Sequence, residues 1–238
     1  MIKQAIMNGR LSIPSHLLRI PAIGYVAFRV SIALKKLSLF FGEPSQRAAE
    51  YPWVLRQLEN FPEGSVVLDV GCSESLLSHA LVIRRLRVVG LDIRDYPLRS
   101  KQMTFVKANI VDTGLPDSFF DAIVAVSTIE HVGLTVYGQT IVDDGLDFIA
   151  IREIRRIIKP TGRIIMTTPF IGAQHSKILL DERNYGIESL EKLTKGLDVV
   201  KEDYFFPRRC HHALGWKKVS KREALRMRFT EPGVPASY

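Results

Sequence analysis

The chain has 238 residues, which is long enough for one sizeable domain with extensions but short for two domains. With 46% hydrophobic and 24% charged residues, the composition is globular and excludes a disordered chain. Two cysteines exclude a disulfide scaffold and favour a reducing, cytoplasmic location. The net charge of +8 is concentrated at the ends, because residues 1–42 and 207–228 hold 14 Lys and Arg against one acid. Basic ends favour an anionic partner, either a membrane or a nucleic acid, although solvated basic faces give the same pattern.

The first 42 residues predict a helix with a wide apolar face. From Ile23 to Phe41, apolar residues recur every three or four positions, and the charges between them are all basic. This pattern is typical of a helix that lies on a membrane surface, but it also fits packing on the domain or on a second copy in a homodimer. No apolar run reaches the roughly 20 residues of a bilayer span, so no transmembrane helix is predicted.

Beyond this helix, the sequence predicts alternating helices and strands. A helix capped by Ser45 runs to about Phe61, and apolar strands and helices alternate from Ser65 onwards. The predicted strands cover 65–70, 87–92, 104–107, 120–127, 163–168 and 198–205, and the predicted helices cover 74–84, 143–159 and 186–195. Near-continuous apolar strands separated by helices indicate an α/β fold, a Rossmann-like and mostly parallel sheet with helices on both faces.

Three regions follow from this pattern. Residues 1–43 are the basic, amphipathic helical extension, and residues 44–206 are the Rossmann-like domain. Residues 207–238 are a basic segment that could complete the sheet, through a strand near residues 213–219.

The first predicted strand ends in a turn that suits a ligand. Asp69 lies at the end of the strand, and Gly71 allows the backbone to approach a ligand closely. A helix N-terminus is expected to follow, and its N–H groups favour negative charge, whereas the Asp69 carboxylate favours positive charge. An amino acid zwitterion satisfies both groups.

The second predicted strand ends at Asp92, 21 residues after Gly71. A carboxylate at this spacing suits the two hydroxyls of a ribose. The two sites together indicate an amino acid joined to a nucleoside, as in S-adenosylmethionine. A dinucleotide is disfavoured, because the NAD pattern needs three glycines and this turn has Ser73 and Leu76 at the second and third positions.

These residues resemble motif I of the class I S-adenosylmethionine-dependent methyltransferases, in the small-molecule, type-11-like branch. Further matches occur in the family's order over 105–110, 115–121, 127–132 and 156–163. Asn109 departs from the family pattern, in which an acid receives the adenine amino group, but its side-chain carbonyl can accept the same bond. The resemblance implies S-adenosylmethionine as cofactor. It also implies a cofactor site made by Asp69, Gly71, Cys72, Ser73, Asp92, Ile93, Asn109, Ile110 and Ser127.

Two residues after the fourth strand are the predicted catalytic groups. A sulfonium methyl is already electrophilic, so a base helps only where the acceptor is a hydroxyl that must lose its proton. His131 is the predicted base, and Glu130 is a second candidate for this role. Each of them could instead shape the cofactor pocket. Loops 133–145 and 170–185 are expected to form the walls of the acceptor site.

The sequence leaves three functions open. The first is hydroxyl methylation of a small molecule, a sugar or a lipid-linked glycan, with peripheral membrane contact through residues 1–42. The second is an RNA methyltransferase that uses residues 207–228, although strand four lacks the Asn/Asp-Pro-Pro-Tyr/Phe motif of nucleic-acid amino methyltransferases. The third is a non-catalytic protein that keeps the cofactor pocket. No metal is predicted, because the adjacent Cys210, His211 and His212 cannot easily bind one ion together.

Overall fold

The computed structural model describes residues 46–98, 100–137, 143, 145–179, 182–210, 213–226, 229–231 and 234–235. The predicted extension over residues 1–43 and the capping residue Ser45 lie outside the described residues. Within the described ranges, no helix has both the length and the apolar character needed to span a bilayer.

The described chain alternates strands and helices in the predicted order. The elements are α1 (Arg47–Gln57), β1 (Val66–Val70), α2 (Leu77–Ile83), β2 (Arg87–Asp92), β3 (Met103–Lys107), β4 (Phe120–Val126), α3 (Leu146–Ile157), β5 (Ile158–Thr167), β6 (Lys177–Leu179), β7 (Glu182–Asn184), α4 (Ile187–Leu193), β8 (Tyr204–Cys210), β9 (Ala213–Val219), α5 (Lys221–Ala224), β10 (Phe229–Glu231) and β11 (Val234–Pro235). Two 3₁₀ turns, Cys72–Glu74 and Ile129–His131, follow β1 and β4.

The chain divides into two compact units. Residues 46–206 and 216–238 form the larger unit. The described residues of the other unit, 207–210 and 213–215, belong to β8 and β9, which pair as a two-stranded sheet.

Five parallel strands form the main sheet in the order β3-β2-β1-β4-β5, which confirms the predicted Rossmann-like class. Central β1 pairs Val67 with Val88 on one side and with Ala122 on the other. Because all five strands are parallel, their carboxyl ends lie at one edge of the sheet. The strand order reverses between β1 and β4, and ligands of such sheets bind at the carboxyl edge beside this switch point.

Apolar side chains cover both faces of the sheet. One buried cluster joins Leu68 and Ile123 to α3, and the other joins Val67 and Val124 to α1 and α2. Neighbouring strand residues point to opposite faces, so each strand contributes to both clusters. The α3 side chains recur at intervals of three, as one helical face requires: Ile151, Ile154 and Ile157.

Residues 159–162, between the predicted helix and the next predicted strand, lie within the pairing of β4 with β5. Phe120 pairs with Ile158, whereas Ala122 pairs with Arg163, so residues 159–162 bulge out of the ladder. Asp121, opposite the bulge, accepts from Lys159 Nζ at 2.7 Å and from the Val66 N–H at 2.8 Å. The bond from Lys159 is the main cause that lowers the pKa of Asp121. The charged pair therefore anchors the bulge.

Three elements of the structure differ from those that the sequence predicts. The helix after Gly71 begins at Leu77, because a 3₁₀ turn precedes it. The strand predicted over 198–205 begins at Tyr204, and the valines that favoured the earlier start, Val199 and Val200, are exposed. The segment expected near residues 213–219 is a strand, but it pairs with β8 rather than in the five-stranded sheet.

Gly71 is expected to be intolerant of any side chain. Its φ is +77°, and a Cβ there would lie 2.4 Å from Thr128 Oγ1, which is held between the carbonyl oxygens of Val70 and Val126 at 3.1 and 3.0 Å. Gly64 has a similar φ of +81° but nothing within 4 Å of an added Cβ, so it provides a matched control. We expect Gly64→Ala to lower the free energy of unfolding by about 1 kcal/mol. Gly71→Ala should lower it by roughly 1–3 kcal/mol more, because of overpacking.

Urea unfolding of both glycine variants at neutral pH checks this expectation. Equal losses of stability would mean that the contact with Thr128 imposes no constraint.

Candidate active site

A cavity opens at the carboxyl edge of the sheet, above the ends of β1, β2 and β4. It is lined by Arg47, Val70, Gly71, Leu91, Asp92, Ile93, Arg94, Ala108, Asn109, Ile110, Ser127, Thr128, His131, Val132 and Tyr137. Most of the residues predicted for the cofactor and for catalysis are among them: Gly71, Asp92, Ile93, Asn109, Ile110, Ser127 and His131. Residues from four separate sequence motifs therefore meet at one cavity.

The Asp92 carboxylate is fixed at the end of β2 by backbone N–H groups. Its Oδ2 accepts from the Ser73 N–H at 2.9 Å, and its Oδ1 accepts from the Arg94 N–H at 2.8 Å. The Arg94 side chain adds a longer contact at 3.4 Å. A carboxylate has about four lone-pair sites and three of them are taken, so Oδ2 of Asp92 can accept one more hydrogen bond from a ligand in the cavity.

Asn109 and Ile110 form the wall of the cavity beyond β3. The side-chain oxygen of Asn109 accepts from the Val111 N–H at 3.2 Å and shapes the turn there. An amide carbonyl accepts up to two hydrogen bonds, so this oxygen can also receive an amino group from a ligand.

Three residues predicted for the cofactor are not part of the cavity lining. Asp69 is buried and accepts from the Ser78 hydroxyl of α2 at 2.6 Å. Cys72 is buried against Gly90 of β2, where an added Cβ would lie 2.9 Å from its Sγ. The Ser73 N–H donates to Asp92. These residues support the site from behind its lining.

Arg47 is a cavity residue that sequence reasoning missed. It lies in the first turn of α1, and its Nη1 donates to the Val126 carbonyl at 2.9 Å and to Glu50 Oε2 at 3.0 Å. The spacing of Arg47 and Glu50 is that of an ordinary surface ion pair, so the sequence alone gives no sign of this role. α1 therefore supplies a cation to the edge of the sheet.

Glu50 connects the same helix to the ends of β4 and β5. Its Oε1 accepts from Ser127 Oγ at 2.5 Å and from Thr167 Oγ1 at 2.7 Å. Ser127 has a φ of +45°, a conformation that costs free energy in a residue other than glycine. The bonds to Glu50 hold Ser127 in this conformation at the floor of the cavity.

His131 lines the cavity and belongs to a row of side chains in contact. Its ring meets the Tyr137 ring edge to face, with centroids 5.3 Å apart. The Arg94 guanidinium lies 4.1 Å from the centroid of Tyr137. Because Arg94 also contacts Asp92, the row runs from the carboxylate at β2 to the imidazole after β4.

Glu130 does not line the cavity and is fully buried. Neither of its carboxyl oxygens has a hydrogen-bond partner among the described residues. Burial raises the pKa of Glu130 well above its ordinary value, and the negative charges of Glu182 and Glu50 act in the same direction. Its own backbone N–H offsets part of this shift. The neutral carboxylic acid is therefore favoured at this position.

Within the described ranges, no group of three or more His, Cys, Asp or Glu side chains is arranged to hold a metal ion. The loops predicted as acceptor walls are described only in part, because residues 138–142, 144 and 180–181 lie outside the described residues. Residues 133 and 143 nevertheless meet closely, since the Asp143 N–H donates to the Gly133 carbonyl at 3.1 Å.

Comparison with known proteins identifies the domain. Residues 68–166, from β1 to the end of β5, match a family model described as a methyltransferase domain. The match covers less than half of the chain and assigns these residues to a methyltransferase domain. The methyltransferase domain shares its fold with the Burkholderia thailandensis 1,6-didemethyltoxoflavin-N1-methyltransferase, solved with bound S-adenosylhomocysteine. That structure has a TM-score of 0.52 and 13% identity, over 84% of this chain and 83% of the other.

Two relatives are also similar to this chain by sequence. The Aspergillus fumigatus sterol 24-C-methyltransferase erg6 is 29% identical over 185 residues, which cover 69% of this chain and 46% of that protein. The Arabidopsis thaliana tRNA (carboxymethyluridine(34)-5-O)-methyltransferase is 28% identical over 127 residues, which cover 52% of this chain and 28% of that protein. The chain thus spans less than half the length of either relative.

Asp69 gives the methyltransferase domain a specific dependence of stability on pH. Burial raises the pKa of Asp69 from 3.8 to about 6, against the opposing effect of the bond from Ser78. The folded protein therefore holds this proton more tightly than the unfolded chain, so the contribution of Asp69 to stability falls as pH rises from about 4 to about 6. Asp69→Asn keeps an oxygen for Ser78 but does not titrate.

We expect the stability of Asp69→Asn relative to the natural chain to rise by about 2 kcal/mol between about pH 4 and pH 7, since each pKa unit corresponds to about 1.4 kcal/mol and the unfolded carboxyl is already partly ionised at pH 4. Urea unfolding of both proteins at the two pH values measures the difference. A difference that stays constant with pH would show that Asp69 is not perturbed by burial.

Proposed function

We propose that this chain is a methyltransferase that uses S-adenosylmethionine to methylate a hydroxyl oxygen of a small molecule, a sugar or a lipid-linked glycan. The observation that carries the proposal is that His131 lines the same cavity as Gly71, Asp92 and Asn109. Methylation of a hydroxyl needs a base beside the cofactor, because the oxygen loses its proton as it attacks. The names of the three similar proteins specify carbon, oxygen and nitrogen acceptors, so the choice of oxygen rests on His131.

The residues of the cavity fit S-adenosylmethionine at both ends. The Asp92 carboxylate suits the ribose hydroxyls, and Asn109 and Ile110 suit the adenine. The turn at Gly71 lets the backbone approach the cofactor, because no side chain fits there. The Arg47 guanidinium suits the carboxylate of the methionine part, in place of the helix N-terminus expected from the sequence.

The chemistry required of the protein is limited. When bound, S-adenosylmethionine supplies an electrophilic methyl group. The protein aligns the acceptor oxygen with this group, and the His131 imidazole receives the hydroxyl proton. The contact with Tyr137, which packs against Arg94, holds the His131 ring in the lining of the cavity.

RNA is the second candidate acceptor, favoured by the similarity to the tRNA methyltransferase and by the eight basic residues over 207–228. Steeply salt-dependent RNA binding that disappears on neutralising Arg208, Arg209, Lys217 and Lys218 would distinguish it from a small-molecule enzyme. Membrane contact through residues 1–42 and homodimer formation stay predictions from the sequence, because those residues lie outside the described part of the chain.

Two variants should affect opposite ends of the cofactor. We expect Asp92→Ala to weaken S-adenosylhomocysteine and 5′-methylthioadenosine alike, because both contain the ribose. Arg47→Gln should weaken only S-adenosylhomocysteine, because 5′-methylthioadenosine has no carboxylate. A hydrogen bond to a charged group contributes about 1.5–3 kcal/mol, so each loss should be about tenfold or more in Kd. Calorimetric titration measures all four affinities.

Asp95→Asn is the control for Asp92, because Asp95 is exposed and pairs with Lys107 outside the cavity. It should bind both ligands like the natural chain. If the intact protein binds neither ligand, the non-catalytic alternative gains support. Equal effects of Arg47→Gln on both ligands would show that Arg47 does not bind the ligand carboxylate.

Substitution of His131 tests the choice of oxygen. With labelled methyl from S-adenosylmethionine and a panel of hydroxylated small molecules, we expect His131→Gln to lower kcat about 100-fold, because general base catalysis contributes typically 10²–10⁴-fold. The Kd of S-adenosylhomocysteine should change little. Turnover that His131→Gln leaves intact, with the best acceptor of the panel, would exclude His131 as the base.

A further inference from the structure

The proposed cofactor has one charged group, the ammonium of its amino acid part, that none of the residues described above receives. The sequence predicts Asp69 as the partner of this ammonium. In the structure Asp69 is 2% exposed, accepts from the Ser78 hydroxyl at 2.6 Å and is not part of the cavity lining. A buried carboxyl behind the lining does not contact a ligand in the cavity, so the ammonium needs a different acceptor.

A hydroxyl and a carboxylate meet beside Arg47, the residue proposed for the carboxylate of the cofactor. Ser127 lines the cavity together with Arg47 and is only partly buried. Its hydroxyl donates to Glu50 Oε1 at 2.5 Å, whereas Gln46 Oε1 lies 3.5 Å away. A serine hydroxyl has one hydrogen and two lone pairs, so with its hydrogen given to Glu50 the Ser127 oxygen can only accept from a ligand. An ammonium, which has three hydrogens and no lone pair, is the matching partner.

Glu50 and Arg47 form an ion pair whose two charges match those of an amino acid. Arg47 Nη1 lies 3.0 Å from Glu50 Oε2 and also donates to the Val126 carbonyl at 2.9 Å. The Glu50 side chain is 12% exposed, so solvent ions screen its negative charge less than that of a surface acid. A positive ligand group at Ser127 is attracted by the Glu50 carboxylate, and a negative group at Arg47 is attracted by the guanidinium. The ion pair therefore complements a zwitterion.

We propose that the Ser127 hydroxyl binds the ammonium of S-adenosylmethionine and that Glu50, through its hydrogen bond with Ser127, is a positioning residue for this contact. This inference rests on the proposed function, since it adds a contact to the same cofactor. It assigns the amino acid part of the cofactor to α1 and the end of β4, in place of Asp69. The φ of +45° at Ser127 agrees with such a role, because strained residues held by surrounding bonds are concentrated at ligand sites.

Two variants change this contact and are expected to keep the fold. Ser127→Gly deletes the hydroxyl, and glycine adopts a positive φ at little cost. Glu50→Gln keeps an oxygen that can accept from Ser127 and Thr167 but removes the negative charge. Thr167→Val is the matched control, because Thr167 Oγ1 donates to the same Glu50 oxygen at 2.7 Å but is not part of the cavity lining. In this control the Ser127 N–H keeps its bond to the Thr167 carbonyl at 3.2 Å.

Calorimetric titration of the full chain with two ligands measures the contact. The first ligand is S-adenosylhomocysteine, and the second is its analogue without the amino group, which keeps the carboxylate, the ribose and the adenine. The ratio of the two Kd values isolates the ammonium, because every other group is shared. We expect the natural chain to bind the analogue at least about tenfold more weakly, as is typical for the loss of a hydrogen bond to a charged group. This ratio should fall about tenfold in Ser127→Gly and in Glu50→Gln, and should stay within about twofold in Thr167→Val.

The outcomes separate this inference from the proposed function. A ratio that Ser127→Gly leaves unchanged would overturn the ammonium site, and so would an analogue that the natural chain binds as tightly as S-adenosylhomocysteine. Equal weakening of both ligands by Glu50→Gln would mean that Glu50 supports the fold and does not position the contact. None of these results affects the proposed methylation, which is measured separately with labelled methyl and an acceptor. Binding of neither ligand by the natural chain would contradict the cofactor itself, and both proposals with it.

Discussion

The close contact between the Gly71 backbone and the Thr128 side chain holds the carboxyl ends of β1 and β4 together, and the candidate site depends on it. The Thr128 hydroxyl lies between the last carbonyls of both strands, so the strands cannot separate without losing these bonds. The turn that begins at Gly71 then carries the Ser73 N–H to Asp92 at the end of β2. One glycine thereby sets the positions of groups on three strands. A 3₁₀ turn, and not the N-terminus of an α-helix, directly follows Gly71.

Four carboxylates lie at or behind this edge of the sheet, and each is stabilised differently. Asp92 accepts from backbone N–H groups, and Glu50 accepts from two hydroxyls and from Arg47. Asp69 has one hydroxyl partner and Glu130 has none among the described residues, and burial raises the pKa of both. The edge therefore holds both neutral and ionised carboxyl groups, and the ionised Asp92 and Glu50 lie beside Arg94 and Arg47. The missing glycines of the turn disfavour NAD.

The parts of the fold that sequence patterns predicted are those that depend on local residues. Buried parallel strands such as β1 and β4 are continuous apolar runs, and Gly71 and Asp92 follow strands at family-like spacing, so both the sheet and the cavity edge were predictable. Arg47 and Glu50 were not, because their role comes from how α1 packs on the strand ends, which an ordinary i, i+3 ion pair does not reveal. The sequence predicts a break between a helix and a strand at residues 159–162, whereas the structure has a bulge there, because the pairing on both sides of a bulge depends on the neighbouring strand. Val199 and Val200 favour a strand by composition, although both side chains are exposed.

The proposed acceptor walls are tied to the sheet by one buried carboxylate, Asp147 in the first turn of α3. It pairs with Arg183 of β7 at 3.4 Å and accepts from the Tyr185 hydroxyl at 2.8 Å, while Arg183 Nη1 donates to the Val132 carbonyl at 3.3 Å. Burial raises the pKa of Tyr185 far above its ordinary range, so it donates as a neutral phenol. A buried ion pair adds little net stability compared with apolar packing. Separating its two partners would leave a buried charge unpaired, and this cost keeps Asp147 and Arg183 together. Through Arg183 and Tyr185, this carboxylate fixes β7 and the residue that follows it against the residues after β4, next to the cavity that His131 and Val132 line.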